Sequence, residues 1–332
     1  MLPLPSCAVS FPETIEQALE LLSRPGARVV AGGTDLLPNL KRGLGRPSAL
    51  VSLARLSGLD AVARDEHELR VGARVTLAEL ARSSLLPASV RYAASLIASP
   101  QIRNVATIGG NLLLDTRCVY VNQSPLWREG LGHCLKADGT ECHVVPTGKR
   151  CVAAASADLP PILVALGASV RVASKDGVRT IPVERLFSND GAAPIALGPA
   201  ELLVEVVIPR APGTSSAYRK LRVRKAIDFP LLGVAVAVDA EGGLVRALRV
   251  VASCIGATPR KVSGLDSIAV GKPLDDATIE AVAERCHGAL HPQTNIAADV
   301  GWRRAMIPLL VTEALHDVRD AVRTRGGDDG TA

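Results

Sequence analysis

The sequence predicts a chain of mixed helices and strands that forms two or three folding units. Its 332 residues exceed the length of one average domain. Hydrophobic residues make up 48% of the chain, which is enough for more than one core. Thr14 and Thr76 are each followed three residues later by Gln or Glu, a pattern typical of helix starts. The break at residues 211–213, Ala-Pro-Gly, is the expected start of a C-terminal domain.

The remaining elements follow from local hydrophobic periodicity and from the glycine and proline residues that interrupt it. Helices are expected to begin at Thr14, at Thr76 and at Asp275 or Asp276, and to cover residues 90–98, 162–166 and 302–322. Strands are expected over residues 28–31, 69–71, 168–173, 178–181, 202–208, 232–238 and 244–252. Residues 115–153 show neither period and are predicted to form an inserted loop.

Charge and hydropathy exclude several classes of function. The net charge of +5 is spread along the chain and no basic run is interleaved with aromatics, so nucleic-acid binding is not expected. No stretch of 18 apolar residues is present, so no membrane span is expected. The N-terminus lacks the features of a signal peptide, and an odd number of cysteines argues against a disulfide framework. A cytoplasmic, reducing location is therefore expected.

Four of the seven cysteines lie within the predicted inserted loop: Cys118, Cys134, Cys142 and Cys151. Their spacing, C-x15-C-x7-C-x8-C, lacks the tight C-x2-C pair of many metal sites and is a weak motif by itself. The loop has too few apolar residues to fold alone, and a bound metal would supply the missing folding energy. Four thiolates suit a [4Fe–4S] cluster or zinc, and a redox-inert loop remains an alternative.

Other potential ligands are less favoured. His133 and His143 are each adjacent to a cysteine and are alternative ligands, although side chains that face outward are the simpler interpretation. Cys7, Cys254 and Cys286 lie on apolar faces and are expected to be buried core thiols.

Two glycine turns are predicted, each entered from an apolar segment: Gly32-Gly33, followed by Thr34 and Asp35, and Gly109-Gly110. A pyrophosphate needs backbone N–H groups at close range, and a Cβ would block that approach. Neither turn matches G-x-G-x-x-G or the P-loop spacing, so each one taken alone could be an ordinary turn.

Several segments together resemble the flavin subunits of the xanthine dehydrogenase and carbon monoxide dehydrogenase family. They occur in the family's order along nearly the whole chain, at residues 12–19, 30–36, 102–111, 156–161, 220–229 and 302–306. The resemblance implies an α+β fold, in which a two-part FAD-binding domain of the vanillyl-alcohol-oxidase type precedes a smaller C-terminal α+β domain with a three-stranded sheet and helices. Together with the breaks along the chain, this predicts domains over residues 1–212 (subdomains about 1–56 and 57–212, with the cysteine-rich insertion at 115–153) and 213–325, followed by a disordered tail over 326–332.

The resemblance also implies which residues contact FAD. Residues 31–36 would wrap the pyrophosphate, and the second glycine pair would line the flavin. Asp158 would bind the ribityl or adenosine part, unless it is only a helix N-cap, and Lys220 would lie near the isoalloxazine, unless it is a surface lysine. The full set is Val30, Ala31, Gly32, Gly33, Thr34, Asp35, Leu36, Gln101, Thr107, Ile108, Gly109, Gly110, Asn111, Asp158 and Lys220.

The four-cysteine insertion resembles that of the 4-hydroxybenzoyl-CoA reductase branch of the family, which implies a [4Fe–4S] cluster on those cysteines. Electrons would pass from ferredoxin through the cluster and FAD to a [2Fe–2S] small subunit and a molybdopterin large subunit, in a dimer of heterotrimers. The large subunit would convert 4-hydroxybenzoyl-CoA to benzoyl-CoA, so no catalytic acid, base or nucleophile is expected on this chain. The alternatives are the FAD subunit of another molybdenum hydroxylase, oxidising a heterocycle or CO, and a zinc-stapled interaction module without a redox role.

Overall fold

The computed structural model describes residues 3–328. A small parallel sheet and its helices form the N-terminal unit: β1 (Ala8–Ser10), α1 (Ile15–Leu22), β2 (Ala27–Val30), α2 (Leu36–Lys41) and β3 (Ala49–Ser52). β3 is central, with β1 and β2 parallel to it on either side. The strand expected at residues 28–31 is therefore an edge strand, in which Arg28 is exposed and the other three residues are half-buried.

An antiparallel sheet of five strands, in the order β4-β5-β8-β6-β7, forms the second unit. Its apolar helix α8 (Leu159–Ala165) is buried throughout and packs against the C-terminal sheet as well. The strands are β4 (Val62–Arg64), β5 (Glu68–Gly72), β6 (Ser169–Ser174), β7 (Gly177–Pro182) and β8 (Leu202–Pro209). The helices are α3 (Leu77–Arg82), α4 (Ala88–Ser95), α5 (Pro100–Arg103), α6 (Ile108–Leu112), α7 (Pro125–Gly130) and α8 (Leu159–Ala165).

The cysteine-rich segment (residues 115–153) leaves the second unit after α6 and returns before α8. The expectation of a loop without regular structure is wrong for α7, which begins where the Ser124 hydroxyl accepts a hydrogen bond from the Trp127 N–H at 3.2 Å. Pro125 follows at the first helical position, which favours a helix start. Buried Arg128 fastens α7 by donating to the carbonyls of Gln123 (2.6 Å) and Arg42 (2.9 Å).

The C-terminal sheet has four antiparallel strands in the order β12-β11-β10-β9, rather than the expected three. Its elements are β9 (Thr214–Leu221), β10 (Leu232–Glu241), β11 (Leu244–Ser253), β12 (Arg260–Lys261), α9 (Asp266–Ala269), α10 (Asp276–Ala289) and α11 (Val300–Asp328). α11 continues past the glycine pair at 326–327, so residues 326–328 of the predicted tail are helical. The rest of that predicted tail, 329–332, lies outside the described residues.

The core of the C-terminal unit lies between its sheet and helices α10 and α11. Tyr218, Ala235 and Val251, on the opposite face of the sheet, belong to the core of the second unit, so the two units share an apolar interface. Between residues 3 and 328, no helix has the length and apolar character needed to cross a membrane.

Candidate functional site

A cleft of about 1420 Å3 lies between the N-terminal unit and the second unit. It is larger than the pockets of about 300–1,000 Å3 that hold drug-sized ligands. Segments from all three units line it: residues 26–36 in β2 and the loop that follows, 106–115 around α6, 192–203 before and at the start of β8, and 227–229 between β9 and β10. An extended ligand of dinucleotide size could therefore lie along the interface.

Most of the residues expected to contact FAD lie on this cleft: Val30, Ala31, Gly32, Gly33, Thr34, Asp35, Leu36, Thr107, Gly109, Gly110, Asn111 and Asp158. Three others do not line it. Gln101 is exposed on α5, Ile108 belongs to the core of the second unit, and Lys220 is buried behind Asp158.

The first glycine pair forms the loop between β2 and α2. A Cβ on Gly32 would lie 1.9 Å from the carbonyl oxygen of Val105, so this loop touches the backbone of the second unit directly. Gly33 has φ +68°, a left-handed conformation that favours glycine. The loop thus depends on both glycines, for two different reasons.

The second glycine pair is not a turn, contrary to expectation: Gly109 and Gly110 lie in the first part of α6. Thr107 caps this helix, with its hydroxyl 3.1 Å from the Gly110 N–H. A Cβ on Gly109 would lie 2.8 Å from the carbonyl oxygen of Ala73. Glycine is needed here because a helix start packs against another backbone segment.

A polar network lies at the end of the cleft that faces the cysteine-rich segment. Arg117 forms an ion pair with Asp35, donates to the Asn39 side-chain oxygen at 2.9 Å, and lies over the Phe229 ring at 4.8 Å. Burial raises the pKa of Asp35, and the Arg117 guanidinium opposes this shift. Sequence reasoning missed Arg117 as a cleft residue because its partner Asp35 lies far away in the chain, although Arg117 directly precedes Cys118.

Asp158 lies in the cleft wall and forms a buried ion pair with Lys220 behind it. It is 2% exposed and accepts hydrogen bonds from Tyr218 Oη at 2.8 Å and Lys220 Nζ at 3.0 Å. Burial raises the pKa of Asp158, while Lys220 opposes the shift. Its side chain does not cap α8, because the second and third helical residues, Pro160 and Pro161, have no N–H to donate. The Leu159 N–H donates to Asn111 Oδ1 at 3.2 Å. Lys220 is not a surface lysine either, because its side chain is 1% exposed.

The four clustered cysteines line one small cavity of about 10 Å3 in the cysteine-rich segment. Tyr120, Lys136 and His143 also line it, whereas His133 lies on the large cleft. Burial raises the pKa of the Cys118 thiol, and raises that of Cys151 to about 11. Within residues 3–328, no three His, Cys, Asp or Glu side chains are arranged to hold a metal ion.

The other cysteines lie elsewhere. Cys254 and Cys286 are fully buried, as expected. The expectation was wrong for Cys7, which is half-buried because it precedes β1, an edge strand whose residues are largely exposed.

Asn295, a buried residue of the C-terminal unit, forms hydrogen bonds to the backbone next to two of the four cavity cysteines. The Val119 N–H donates to the Asn295 carbonyl at 2.9 Å, and Asn295 Nδ2 donates to the Val152 carbonyl at 2.6 Å. Val119 and Val152 each follow a cavity cysteine. Asn295 therefore connects the third unit to the chain beside Cys118 and Cys151, a contact that no local sequence pattern indicates.

We expect Asn295→Ala to lower the free energy of unfolding by about 1–3 kcal/mol, because the Val152 carbonyl loses its buried donor. Urea titration followed by circular dichroism measures this. The control is Gln293→Ala, since Gln293 is half-buried and its side chain makes only a 3.4 Å bond to the His291 carbonyl. Equal stability of the two variants would contradict the proposed importance of the Asn295 amide.

Comparison with known proteins matches both parts of the chain to families. Residues 5–211 match the family described as FAD binding domain in molybdopterin dehydrogenase, and residues 205–318 match the CO dehydrogenase flavoprotein C-terminal domain. The α+β fold is also that of quinoline 2-oxidoreductase from Pseudomonas putida, with a TM-score of 0.78 at 23% identity over 96% of this chain and 99% of that one.

Two curated relatives support the same assignment. The alpha subunit of the 6-hydroxypseudooxynicotine dehydrogenase complex of Paenarthrobacter nicotinovorans is 29% identical over 95% of this chain and 96% of its own length. The FAD-binding subunit of the Escherichia coli aldehyde oxidoreductase is 33% identical over 68% of this chain and 75% of its own. The chain therefore belongs to the FAD-binding subunits of the molybdenum hydroxylase family, which includes xanthine dehydrogenase and carbon monoxide dehydrogenase.

Proposed function

We propose that this chain is the electron-transfer subunit of a complex in which a molybdopterin-binding large subunit carries the substrate site and a small subunit carries [2Fe–2S] centres. The observation that supports this most is the cleft lined by the Gly32–Gly33 loop and the start of α6, which lies within the matched FAD-binding region. The names of the relatives, as subunits of dehydrogenase and oxidoreductase complexes, agree with this proposal. The complex would be a dimer of heterotrimers.

FAD fits the residues that are present. The backbone N–H groups of the Gly32–Gly33 loop would hold the pyrophosphate. The start of α6 would form the wall beside the flavin and would not donate to the phosphates, because Ile108, Gly109 and Gly110 already donate to the Val75 carbonyl, the Ala73 carbonyl and Thr107 Oγ1. Arg117 pairs with Asp35 and would limit repulsion between that carboxylate and the phosphates. Bound FAD supplies electron exchange in steps of one or two. The residues of this chain would bind the cofactor and exclude water from it.

We also propose a [4Fe–4S] cluster on Cys118, Cys134, Cys142 and Cys151. Convergence of the four thiols on one cavity supports it. A single zinc ion, which needs all four sulfurs within about 2.3 Å of one point, is the alternative. The described residues offer no preformed arrangement of three ligands for either kind of centre. A [4Fe–4S] cluster does not need the four sulfurs to surround one point as closely, because each cysteine binds a different iron. Cluster binding would have to spread the thiols, since about 10 Å3 holds only about one water.

For the substrate, oxidation of a heterocycle, an aldehyde or CO has the better support, because the relatives and similar structures act on nicotine derivatives, aldehydes, quinoline and carbon monoxide. Reductive dehydroxylation of 4-hydroxybenzoyl-CoA with ferredoxin as donor is a second candidate. The convergence of the four cysteines favours this candidate, because a one-electron centre would suit a one-electron donor.

The test is analysis of the purified complex for flavin, iron, acid-labile sulfide and zinc, with wild-type chain and with Cys134→Ser. We expect FAD in both, and loss of the cluster's iron and sulfide in the variant because one thiolate ligand is missing. Cys7→Ser is the matched control, since Cys7 does not line the cavity, and it should keep its iron.

The outcomes separate the proposals. A wild-type complex that lacks FAD would refute the main proposal. Iron and sulfide contents no higher than the [2Fe–2S] centres of the small subunit require, and unchanged in Cys134→Ser, would refute the cluster. Anaerobic assays with reduced ferredoxin then test the second candidate. If Cys134→Ser accepts electrons from ferredoxin at the wild-type rate, the cluster does not receive them.

A further inference from the structure

Lys136 lies between the cysteine cavity and the large cleft. Of the residues that the structure describes, it alone lines both spaces. Its side chain is only 7% exposed. A charged ammonium group is therefore held away from solvent in the wall that separates the two candidate cofactor sites.

Three acceptors fix the position of this ammonium group. Lys136 Nζ donates to Asp115 Oδ1 at 2.7 Å, to Thr116 Oγ1 at 2.9 Å and to the Gly191 carbonyl. Asp115, the only carboxylate among them, is 37% exposed, so water screens its charge more than that of the lysine. The positive charge is consequently not fully cancelled on the side of the thiols.

We infer that Lys136 is a positioning residue whose fixed charge raises the reduction potential of an inorganic centre bound by the four cysteines. This rests on the proposed cluster. Four thiolates bring negative charge into the cavity, and reduction of the centre adds one more. A nearby cation in surroundings of low polarity stabilises the reduced form more than the oxidised form. The lysine thereby favours acceptance of an electron next to the flavin cleft.

Three single variants of the intact complex test the sign of this effect. Lys136→Met removes the charge, Lys136→Arg keeps it, and Asp115→Asn removes its counter-charge while retaining Oδ1 as an acceptor. The measurement is an anaerobic redox titration in which the electron paramagnetic resonance signal of the reduced cluster is followed. Iron and flavin contents are recorded for each variant.

We expect Lys136→Met to lower the ratio of reduced to oxidised cluster about tenfold at the wild-type midpoint, which is about 59 mV for one electron. Asp115→Asn should raise that ratio, and Lys136→Arg should stay near the wild type. A packing defect would not shift the reduction potential in opposite directions in Lys136→Met and Asp115→Asn. If Lys136→Met fails to assemble, the rise in reduction potential expected for Asp115→Asn still tests the inference.

Unmoved potentials, or shifts in the same direction for Lys136→Met and Asp115→Asn, in complexes with the wild-type iron content would overturn this inference and leave the proposed cluster intact. A wild-type complex with no iron beyond that of the [2Fe–2S] centres of the small subunit would overturn the cluster, and this inference with it.

Discussion

Replacing Gly32 with alanine should abolish FAD binding and lower the free energy of unfolding by about 3 kcal/mol or more. The new methyl group would lie 1.9 Å from the Val105 carbonyl oxygen, and backbone cannot move aside as the end of a flexible side chain can. The loop after β2 would have to separate from the second unit, and the cleft wall that contains both segments would be displaced. Flavin absorbance of the purified protein and urea titration measure the two effects.

Two other glycines provide controls. Gly72 on β5 makes a similar contact, with its Cβ position 2.3 Å from the Leu59 carbonyl oxygen, but it does not line the cleft. Gly72→Ala should therefore lose stability and keep FAD whenever it is folded. Gly288 in α10 has nothing within 4 Å of its Cβ position, and Gly288→Ala should gain up to about 1 kcal/mol. Normal flavin content in Gly32→Ala would refute the role of this loop in the cleft.

Features determined by neighbouring residues could be predicted from the sequence. Thr76 and Glu79 form the expected capping box, with the Glu79 N–H 3.2 Å from Thr76 Oγ1 and the Thr76 N–H 2.8 Å from Glu79 Oε2. The antiparallel pairing of residues 232–238 with 244–252 was likewise predictable, because the turn between them is short and glycine-rich.

Features determined by distant backbone were not predictable in this way. The Gly109–Gly110 pair resembles a turn in sequence, but it starts a helix, and Gly109 is required by a contact with Ala73 that local patterns do not encode. The same limit applies to the cysteine cavity. The sequence groups the four cysteines in one segment, whereas the placement of Lys136 beside them and the attachment through Asn295 depend on the tertiary fold.

Lys220→Met should be the most destabilising single change in the buried polar network, with a loss of about 3–5 kcal/mol, because it leaves the Asp158 carboxylate buried without its cation. Tyr218 would still donate its hydrogen bond, but it carries no charge. Urea titration at neutral pH measures the loss. The double variant Asp158→Asn/Lys220→Met should recover most of it, since a neutral pair carries no uncompensated charge. If the double variant is as unstable as Lys220→Met, the loss arises from packing and not from the charge.

The pH dependence of the same variant gives an independent check. Burial already raises the pKa of Asp158 in the folded wild type, and removal of Lys220, which opposes that shift, should raise the pKa further. The folded variant then holds a proton that the unfolded chain, with a carboxyl pKa of about 3.9, has released. Stability therefore falls as pH rises above about 4, up to the raised pKa of Asp158. The deficit of Lys220→Met against the wild type should be smaller at pH 5 than at pH 8, and equal deficits would show that Asp158 is not the group responsible.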